Sequence, residues 1–237
     1  MTRRLLRALI SHLIPTGLAL PVIRGPLRGR KWIAGAAAGA GKGLSVIVNQ
    51  SEPEQLRLAM DLFPANGIAF DIGANVGLYS LLLSAKADKV VAFEPYARNI
   101  RYLVRTLAIN DVHNVVIVPC AVADSPGMQA FDPGQNCAMG HLCGSGGQVV
   151  ACITCDDFSK QFGLVPDLIK IDVEGAEELV LRGARELLSR RRPAILLSFH
   201  SDDIKASCTQ YLRQLGYDNV APINGPTIEA ASELAYT

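Results

Sequence analysis

Short apolar runs alternate with segments of helical spacing along most of the chain. The apolar runs that predict strands cover residues 68–71, 89–94, 115–119, 168–172 and 194–199. The segments that predict helices cover residues 52–63, 78–87, 97–110, 176–189 and 202–215. Strands that are separated by helices usually pair in parallel, with the helices packed on both faces of the sheet. The pattern therefore predicts an α/β fold with a mostly parallel sheet.

Four stretches depart from this alternation. Residues 44–48 form an apolar run that predicts a further strand, and residues 149–154 predict another. Residues 121–148 are rich in Gly, Pro, Asn, Gln and Cys, which predicts a loop or an irregular hairpin inserted in the fold. Two weakly strand-like runs in residues 217–237 flank a turn sequence, which predicts a terminal antiparallel hairpin at the edge of the sheet.

The first 43 residues have no clear periodicity, and we expect a basic arm that is irregular or contains a short helix over residues 5–14. Residues 1–51 contain eight Lys or Arg and no Asp or Glu, although the whole chain carries a net charge of only +1. A solvated arm is the first expectation, and a weak contact with an anionic membrane surface is the alternative. Residues 44–237 are then the functional domain.

The composition predicts a cytoplasmic protein. Six cysteines in 237 residues do not demand disulfides, so reduced thiols are the default. No uninterrupted apolar run has the length of a membrane span. Arg7 and His12 interrupt the apolar start, unlike the core of a secretory signal. The oligomeric state is left open by the sequence.

A glycine-rich turn follows the first central strand. Asp71 ends that strand, and Gly73, Asn75 and Gly77 belong to the turn into the next helix. The two glycines let the backbone turn sharply and let a ligand approach closely. Glu94 ends the next strand, 23 residues after Asp71. This spacing suits a carboxylate that accepts hydrogen bonds from the ribose hydroxyls of an adenosine group.

Charge separates two cofactor classes for this turn. NAD needs bare backbone amides around its pyrophosphate, but the pattern G-x-G-x-x-G is absent, and Asp71 would place a negative charge beside the phosphates. S-adenosylmethionine carries a sulfonium and an ammonium group and no phosphate. A carboxylate at the strand end therefore attracts it, directly or through water. The turn predicts S-adenosylmethionine as the cofactor.

A second set of acidic residues follows a later apolar strand. Asp172 ends this strand, and Glu174 comes two residues later, just before Gly175. Carboxylates at the rim of a core strand are costly unless they are paired or used. His200 follows the next strand and should reach the same rim. Its ordinary pKa suits a general base, although a structural, hydrogen-bonded histidine is the more common case.

In their order along the chain, these motifs resemble the FkbM-type S-adenosylmethionine-dependent methyltransferases. The resemblance covers residues 44–200, and its motifs are Phe70–Gly77, Phe93–Pro95, Asp156–Phe158, Ile169–Glu177 and Val180–Ala184. It implies the class I, Rossmann-like fold with a seven-stranded sheet. It also implies O-methylation of a hydroxyl on a sugar, a polyketide or another small natural product.

By position in these motifs, the resemblance implies cofactor contacts and a catalytic rim. The implied cofactor contacts are Asp71, Gly73, Asn75, Gly77, Glu94 and Asp172. We expect Asp172 nearest the methyl group and either Glu174 or His200 as the base. Asp172 and Glu174 could share a divalent cation, but no residue is assigned as a metal ligand, because nothing else in the sequence requires a metal ion. The family commonly has Glu-x-His before the last helix, whereas this chain has Ser198-Phe199-His200.

Three other interpretations compete with an enzyme of this kind. A zinc site could use four cysteines and His141, but only Cys152 and Cys155 have the short spacing of zinc ligands. A non-catalytic binding protein could retain the fold, and Ser198 is the feature that favours it. Nucleic-acid methylation would call for a basic face with stacking aromatics, so we expect a small-molecule or glycan acceptor and no nucleic acid.

Overall fold

The computed structural model describes residues 14–37, 43–134, 138–144 and 147–237. Their strands, in chain order, are β1 (Ala19–Pro21), β2 (Lys31–Ile33), β3 (Ile68–Ile72), β4 (Lys89–Phe93), β5 (Val115–Val118), β6 (Ala121–Val122), β7 (Gly127–Asp132), β8 (His141–Cys143), β9 (Gln148–Ile153), β10 (Leu168–Ile171), β11 (Ala194–Ser198), β12 (Val220–Pro222) and β13 (Glu233–Tyr236). Their helices are α1 (Leu44–Ile47), α2 (Pro53–Leu62), α3 (Leu78–Leu83), α4 (Ala97–Ile109), α5 (Cys155–Phe162), α6 (Glu177–Gly183), α7 (Arg185–Arg190) and α8 (Asp202–Gln214).

A seven-stranded sheet forms the centre of the fold, with the strand order β12-β13-β11-β10-β3-β4-β5. The five strands from β11 to β5 in this order are parallel to their neighbours. β13 runs antiparallel to both β11 and β12. The mostly parallel sheet and the terminal antiparallel hairpin are therefore confirmed. The strand order reverses between β3 and β10, and a ligand cleft is expected at the carboxyl ends of strands at such a point.

Apolar cores cover both faces of the sheet. Phe70, Ile72, Ile169 and Ile171 face the core that includes residues of α5 to α8. The neighbouring strand positions face a second core, which includes residues of β2, α2 and α3. Strands buried on both faces need apolar side chains throughout, which is why they were recognisable as continuous apolar runs. None of the helices in the described residues has the length and apolar character that a membrane crossing requires.

The N-terminal segment contains a hairpin that the sequence did not predict. β1 and β2 pair antiparallel, and Trp32 and Ile33 are fully buried. Arg98 and Arg105 of α4 donate hydrogen bonds to carbonyls of this segment. An irregular arm or short helix is therefore the wrong description for residues 14–37. Residues 1–13, with most of the expected helix, lie outside the described residues. The domain boundary, the membrane contact and the cytoplasmic location stay predictions.

Residues 44–48 form a helical turn and not the expected strand. In α1, only Val46 is buried, and its backbone N–H donates to the carbonyl of Gly43. The N–H of Gln50 likewise donates to the carbonyl of Ser45. Because local bonds satisfy this backbone, an apolar run of this length does not need a partner strand.

The segment predicted as a loop or irregular hairpin is a small sheet in its described part. Its strand order is β6-β9-β7-β8, and β7 pairs antiparallel with both β8 and β9. Phe131, Val150 and Cys152 bury their side chains in a core of its own. The expected antiparallel pairing is thus present, within a larger element than a hairpin.

The helix predicted over residues 176–189 is divided into α6 and α7. The division follows Gly183, where a Cβ atom would lie 2.0 Å from the carbonyl oxygen of Ala123. The close approach of this backbone therefore needs glycine. Ala184 leaves the helical conformation, with φ −110° and ψ 13°, and α7 begins at the next residue.

Candidate functional site

An opening lies beyond the carboxyl ends of β3, β4 and β10, where the strand order reverses. Its empty space is about 550 Å³, which includes space that is open to solvent. The small sheet contributes Phe131, His141 and Leu142 to its lining. The other lining residues are Ile72, Gly73, Asn75, Phe93, Glu94, Pro95, Asn99, Cys120, Ala121, Val122, Ala138, Gly140, Asp172, Val173, Glu174 and Ala176.

Gly73 allows the turn after β3 to meet the end of β10. Its φ is +78°, and a Cβ atom would lie 1.9 Å from the carbonyl oxygen of Asp172. A side chain would therefore have to push the two strand ends apart. The backbone N–H of Gly73 donates to the carbonyl of Phe93, so the turn is also tied to β4.

Asn75 presents an unused acceptor in this turn. It has φ 49°, a conformation that Asn adopts more readily than most residues. Its backbone N–H donates to Glu94 Oε2 at 2.7 Å. Its side-chain oxygen Oδ1 is buried and has no hydrogen-bond partner among the described residues. Because buried polar atoms normally have partners, this oxygen fits a ligand that brings a hydrogen-bond donor.

Glu94 is held with its carboxylate in the lining of the opening. It is only 5 % exposed. Oε1 accepts hydrogen bonds from the N–H of Tyr96 at 2.9 Å and from Asn99 Nδ2 at 3.3 Å. Burial raises the pKa of Glu94 above its usual range, and the hydrogen bonds from Tyr96, Asn75 and Asn99 oppose the shift. A carboxylate fixed in this way keeps acceptor capacity for further donors.

Asp71 does not lie in the lining of the opening, and its contact with the cofactor, direct or through water, stays a prediction. β3 extends to Ile72, and successive side chains of a strand point to opposite faces. Ile72 therefore faces the opening, while Asp71 accepts a hydrogen bond from Ser80 Oγ at 2.5 Å on the other face. Burial raises the pKa of Asp71 to about 6, although Ser80 and Lys170 act to lower it.

Gly77 also lies away from the opening. It is the N-cap of α3 with φ 94°, and a Cβ atom would lie 2.5 Å from Leu103 Cδ1. Its role in this structure is to start the helix and to pack closely against α4. A glycine pattern alone cannot distinguish such packing from ligand contact.

Lys170 is a buried cation beneath the site, and no role was predicted for it. It is 4 % exposed and lies in register with Asp71 on the neighbouring strand. Its Nζ is 3.0 Å from Asp172 Oδ2 and 4.8 Å from the centre of the Tyr79 ring. Burial by itself lowers the pKa of Lys170. The negative charges of Asp172, Glu52 and Asp71 together raise it by more, so the net shift is upward. A lysine within an apolar strand was the signal that could have identified it.

Asp172, Glu174 and His200 come together at the rim, as the sequence predicted. His200 Nε2 lies 3.5 Å from Asp172 Oδ1 and 3.3 Å from Glu174 Oε1. Glu174 has φ 54°, and left-handed backbone of this kind is costly for a glutamate. Asp172 and Glu174 line the opening, and all three side chains are partly exposed. We call these three residues the rim cluster.

Glu177 contacts the His200 ring of the rim cluster, a role that the sequence did not indicate. It is fully buried at the start of α6, and its Oε1 lies 2.7 Å from His200 Nδ1. The same oxygen accepts the backbone N–H of Gly175 at 3.0 Å. Hydrogen bonds to Glu174 and Glu177 raise the pKa of His200 to about 10. The imidazole therefore carries a proton at neutral pH and is a donor in this arrangement.

A carboxylate lies beside Ser198, where the resemblance leads us to expect a glutamate. Ser198 of β11 pairs in register with Glu233 of β13. Burial raises the pKa of Glu233, and the charge of Lys170 acts to lower it. Glu233 therefore brings an acidic group from the neighbouring strand into the surroundings of Lys170.

The cysteines do not form a metal cluster in the described part of the chain. There, the group with metal-ligand spacing is the rim cluster, Asp172, Glu174 and His200. Cys152 lies in β9, and Cys155 begins α5; burial raises the pKa of both thiols. Cys137 lies outside the described residues.

Two curated proteins that are similar to this chain are both named as methyltransferases. The hexuronic acid methyltransferase AglP of Haloferax volcanii is 28 % identical over 144 residues, which are 59 % of this chain and 59 % of AglP. The methyltransferase sdnD of Sordaria araneosa is 27 % identical over an alignment of 194 residues, and the match covers 65 % of this chain and 75 % of sdnD. The chain thus matches less than two thirds of the length of AglP.

Solved structures share the fold. The crystal structure of a methyltransferase FkbM from Methylobacillus flagellatus superposes with a TM-score of 0.56 at 17 % identity. The match covers 86 % of this chain and 56 % of that one. This likeness confirms the class I, Rossmann-like architecture. The family model of the methyltransferase FkbM domain matches residues 71–218, which is more than half of the chain and includes Glu94 and the rim cluster. The chain belongs to the FkbM methyltransferase family.

Proposed function

We propose that this protein transfers a methyl group from S-adenosylmethionine to a hydroxyl oxygen of a small-molecule or glycan acceptor. One observation carries the proposal. The described lining of the opening contains three carboxylates, on Glu94, Asp172 and Glu174, and neither Lys nor Arg. Such a lining attracts the sulfonium and ammonium charges of S-adenosylmethionine and repels the pyrophosphate of a dinucleotide.

The residues at the two ends of the opening suit different parts of the cofactor. Glu94 would accept the ribose hydroxyls, and the unpaired Oδ1 of Asn75 would accept a donor of the cofactor. Gly73 leaves space for close approach at the turn. Asp172 would lie at the end where the reaction takes place. The bound cofactor supplies a methyl group already activated by its sulfonium.

The rim cluster would position the acceptor and receive its proton. Alignment of the hydroxyl oxygen with the methyl–sulfur bond is the main requirement of this reaction. His200 is protonated at neutral pH because its pKa is raised to about 10, so it can donate a hydrogen bond but cannot act as the base. We therefore assign proton removal to Glu174, with Asp172 orienting the acceptor.

The relatives suggest the acceptor class. AglP is named as a methyltransferase of hexuronic acid, and a sugar hydroxyl is compatible with the partly exposed rim. We propose a sugar or a related polyhydroxylated molecule as the acceptor, with no nucleic acid. The small sheet supplies Phe131, His141 and Leu142 to the lining of the opening, and these residues would shape the acceptor's surroundings.

Calorimetric titration with S-adenosylhomocysteine and with NAD⁺ tests the cofactor class. We expect one molecule of S-adenosylhomocysteine to bind per chain, and NAD⁺ to bind at least about 100-fold more weakly because its phosphates meet carboxylates. Tight binding of NAD⁺, or no binding of S-adenosylhomocysteine by folded protein, would contradict the proposal.

A non-catalytic binding protein is the second candidate, and Ser198 is the observation that favours it. The neighbouring Glu233 weakens this argument, because a carboxylate is still present beside that strand position. The two candidates differ in a transfer assay. With methyl-labelled cofactor and hexuronic-acid glycans, an enzyme labels the glycan, whereas a binding protein retains the cofactor unchanged.

A further inference from the structure

We propose that the rim cluster of Asp172, Glu174 and His200 binds one divalent transition-metal ion. One ligand atom from each residue can be chosen so that all three lie within 4.8 Å of one another. Bonds of about 2.1 Å to a common ion place neighbouring ligand atoms about 3.0–3.4 Å apart. The distances from His200 Nε2 to the two carboxylate oxygens are 3.5 Å and 3.3 Å. The two spacings that involve His200 therefore match a common ion closely, and the two carboxylate oxygens lie within 4.8 Å of each other.

Glu177 provides a second, independent observation. Histidines that bind metal ions usually give their other ring nitrogen to a carboxylate, which fixes the orientation of the ring. Glu177 Oε1 lies 2.7 Å from His200 Nδ1, so Nε2 is directed at Asp172 and Glu174. The other oxygen of Glu177 is buried without a hydrogen-bond partner in the described residues. The fully buried Glu177 thus places negative charge on the Nδ1 side of the His200 ring. A cation bound at Nε2, on the opposite side of the ring, would offset that charge.

The charges around the rim cluster also leave room for a cation. Asp172, Glu174 and Glu177 are three acids within one contact network around His200. In the described part of the chain, the lysine or arginine that pairs with them is Lys170, and it contacts Asp172 Oδ2. Oδ1 of Asp172 remains directed at His200. Without an ion His200 is protonated, so binding at Nε2 would displace the proton on that nitrogen. With the imidazole then neutral, two negative charges are uncompensated, and a divalent ion would balance them.

The ligand types indicate which ions are suitable. Carboxylates favour Mg²⁺, Ca²⁺ and Mn²⁺, whereas imidazole favours later transition metals. Two carboxylates with one imidazole therefore suit Mn²⁺ or a neighbouring ion better than Mg²⁺. The partly exposed side chains leave coordination positions for water or for oxygen atoms of a ligand.

The ion would act on the acceptor, and this part of the inference rests on the proposed function. An acceptor hydroxyl bound to the ion has a lowered pKa. Glu174 would bind the ion through Oε1 and receive the hydroxyl proton at its other oxygen. The acceptor oxygen then forms a bond to the methyl carbon as the carbon–sulfur bond breaks, and S-adenosylhomocysteine leaves. A sugar with two adjacent oxygens could occupy two of the open positions.

Titration with Mn²⁺ tests the site directly. Protein purified without a polyhistidine tag and treated with a chelator is titrated while the spectrum of free Mn²⁺ is recorded by electron paramagnetic resonance. We expect one ion per chain. Glu174→Gln and His200→Gln should each weaken binding by more than about 100-fold, and Glu177→Gln by about 10-fold to 100-fold.

His113→Gln is the matched control. His113 Nε2 lies 2.9 Å from Asp111 Oδ1, but both side chains are exposed, and among the described residues no third ligand joins them. This substitution should leave Mn²⁺ affinity unchanged. Circular dichroism confirms that each variant is folded. Glu177 is buried, so Glu177→Gln is the variant whose folding is most at risk. If it does not fold, the titrations of the wild-type protein, Glu174→Gln and His200→Gln still test the metal site.

Two results would overturn the metal site. One is a wild-type protein that binds no Mn²⁺ below about 1 mM, the range of the weakest functional cation sites. The other is unchanged affinity in both Glu174→Gln and His200→Gln. Titration with S-adenosylhomocysteine in the presence of chelator separates this proposal from the proposed function. Cofactor binding without Mn²⁺ binding removes only the metal site, and the reverse result removes only the cofactor proposal.

Discussion

Glu174→Gln is expected to slow methyl transfer by about 100-fold to 10,000-fold, the usual effect of losing a positioned base. The amide has nearly the shape of the carboxylate but cannot take the acceptor's proton. Glu174 lines the opening and lies 3.3 Å from His200, so the loss falls at the reaction site. Initial rates with methyl-labelled S-adenosylmethionine, and any acceptor that the wild-type protein methylates, measure the effect.

The rate loss should occur without a comparable loss of cofactor affinity. Glu178→Gln is the matched control, because Glu178 lies in the first turn of α6 and pairs with Arg182 on the surface. We expect this variant to keep the wild-type rate. Equal rates for Glu174→Gln and the wild-type protein would contradict the role assigned to Glu174.

Glu94→Gln should weaken the binding of S-adenosylhomocysteine by about 100-fold. A hydrogen bond to a charged acceptor contributes about 1.5–3 kcal/mol, and the ribose would make two. The amide nitrogen cannot accept, and it would face an N–H of Asn75 or Tyr96 that the carboxylate now binds. Calorimetric titration of both proteins gives the ratio of the dissociation constants.

The control for this variant is Glu54→Gln in the first turn of α2, where the side chain is exposed. Its affinity for S-adenosylhomocysteine should equal that of the wild-type protein. A thermal unfolding curve shows whether Glu94→Gln remains folded. If folded Glu94→Gln binds S-adenosylhomocysteine as tightly as the wild-type protein, Glu94 does not hold the ribose.

The central sheet was predictable because its strands are buried on both faces. Continuous apolar runs such as Leu168–Ile171 have few alternatives in a chain of this kind. The hairpin around Trp32 was not predictable, since it depends on packing against residues far away in the chain, such as Arg98. The small sheet was predicted only in part. The run that forms β9 was recognised as a strand, but β6 and β8 have only two and three residues, and the Gly- and Asn-rich composition of the segment is typical of loops.

The site was predictable in part. Glu94, Asp172 and Glu174 lie in the lining because they follow the ends of core strands. Asp71 does not, because β3 is one residue longer than expected and each step along a strand reverses the side chain. Position along a strand must therefore be known to within one residue before a side chain can be assigned to a face.

The contact between Glu177 and His200 could not be predicted from a local sequence pattern. Glu177 is 23 residues away from His200 in sequence, and the pair forms only because β10 and β11 are neighbours. A glutamate in the first turn of a helix already has a sufficient explanation in the helix dipole. The burial of Glu177, which the sequence does not reveal, indicates its second role as the hydrogen-bond partner of His200.

The central claim is that S-adenosylmethionine binds in the opening with its methyl group directed at the rim cluster. A crystal structure of the complex with S-adenosylhomocysteine tests it most directly. We predict both ribose hydroxyls within about 3 Å of the Glu94 carboxylate and the sulfur atom facing Asp172. Binding elsewhere, or in this opening with the sulfur directed away from Asp172 and Glu174, would contradict the account.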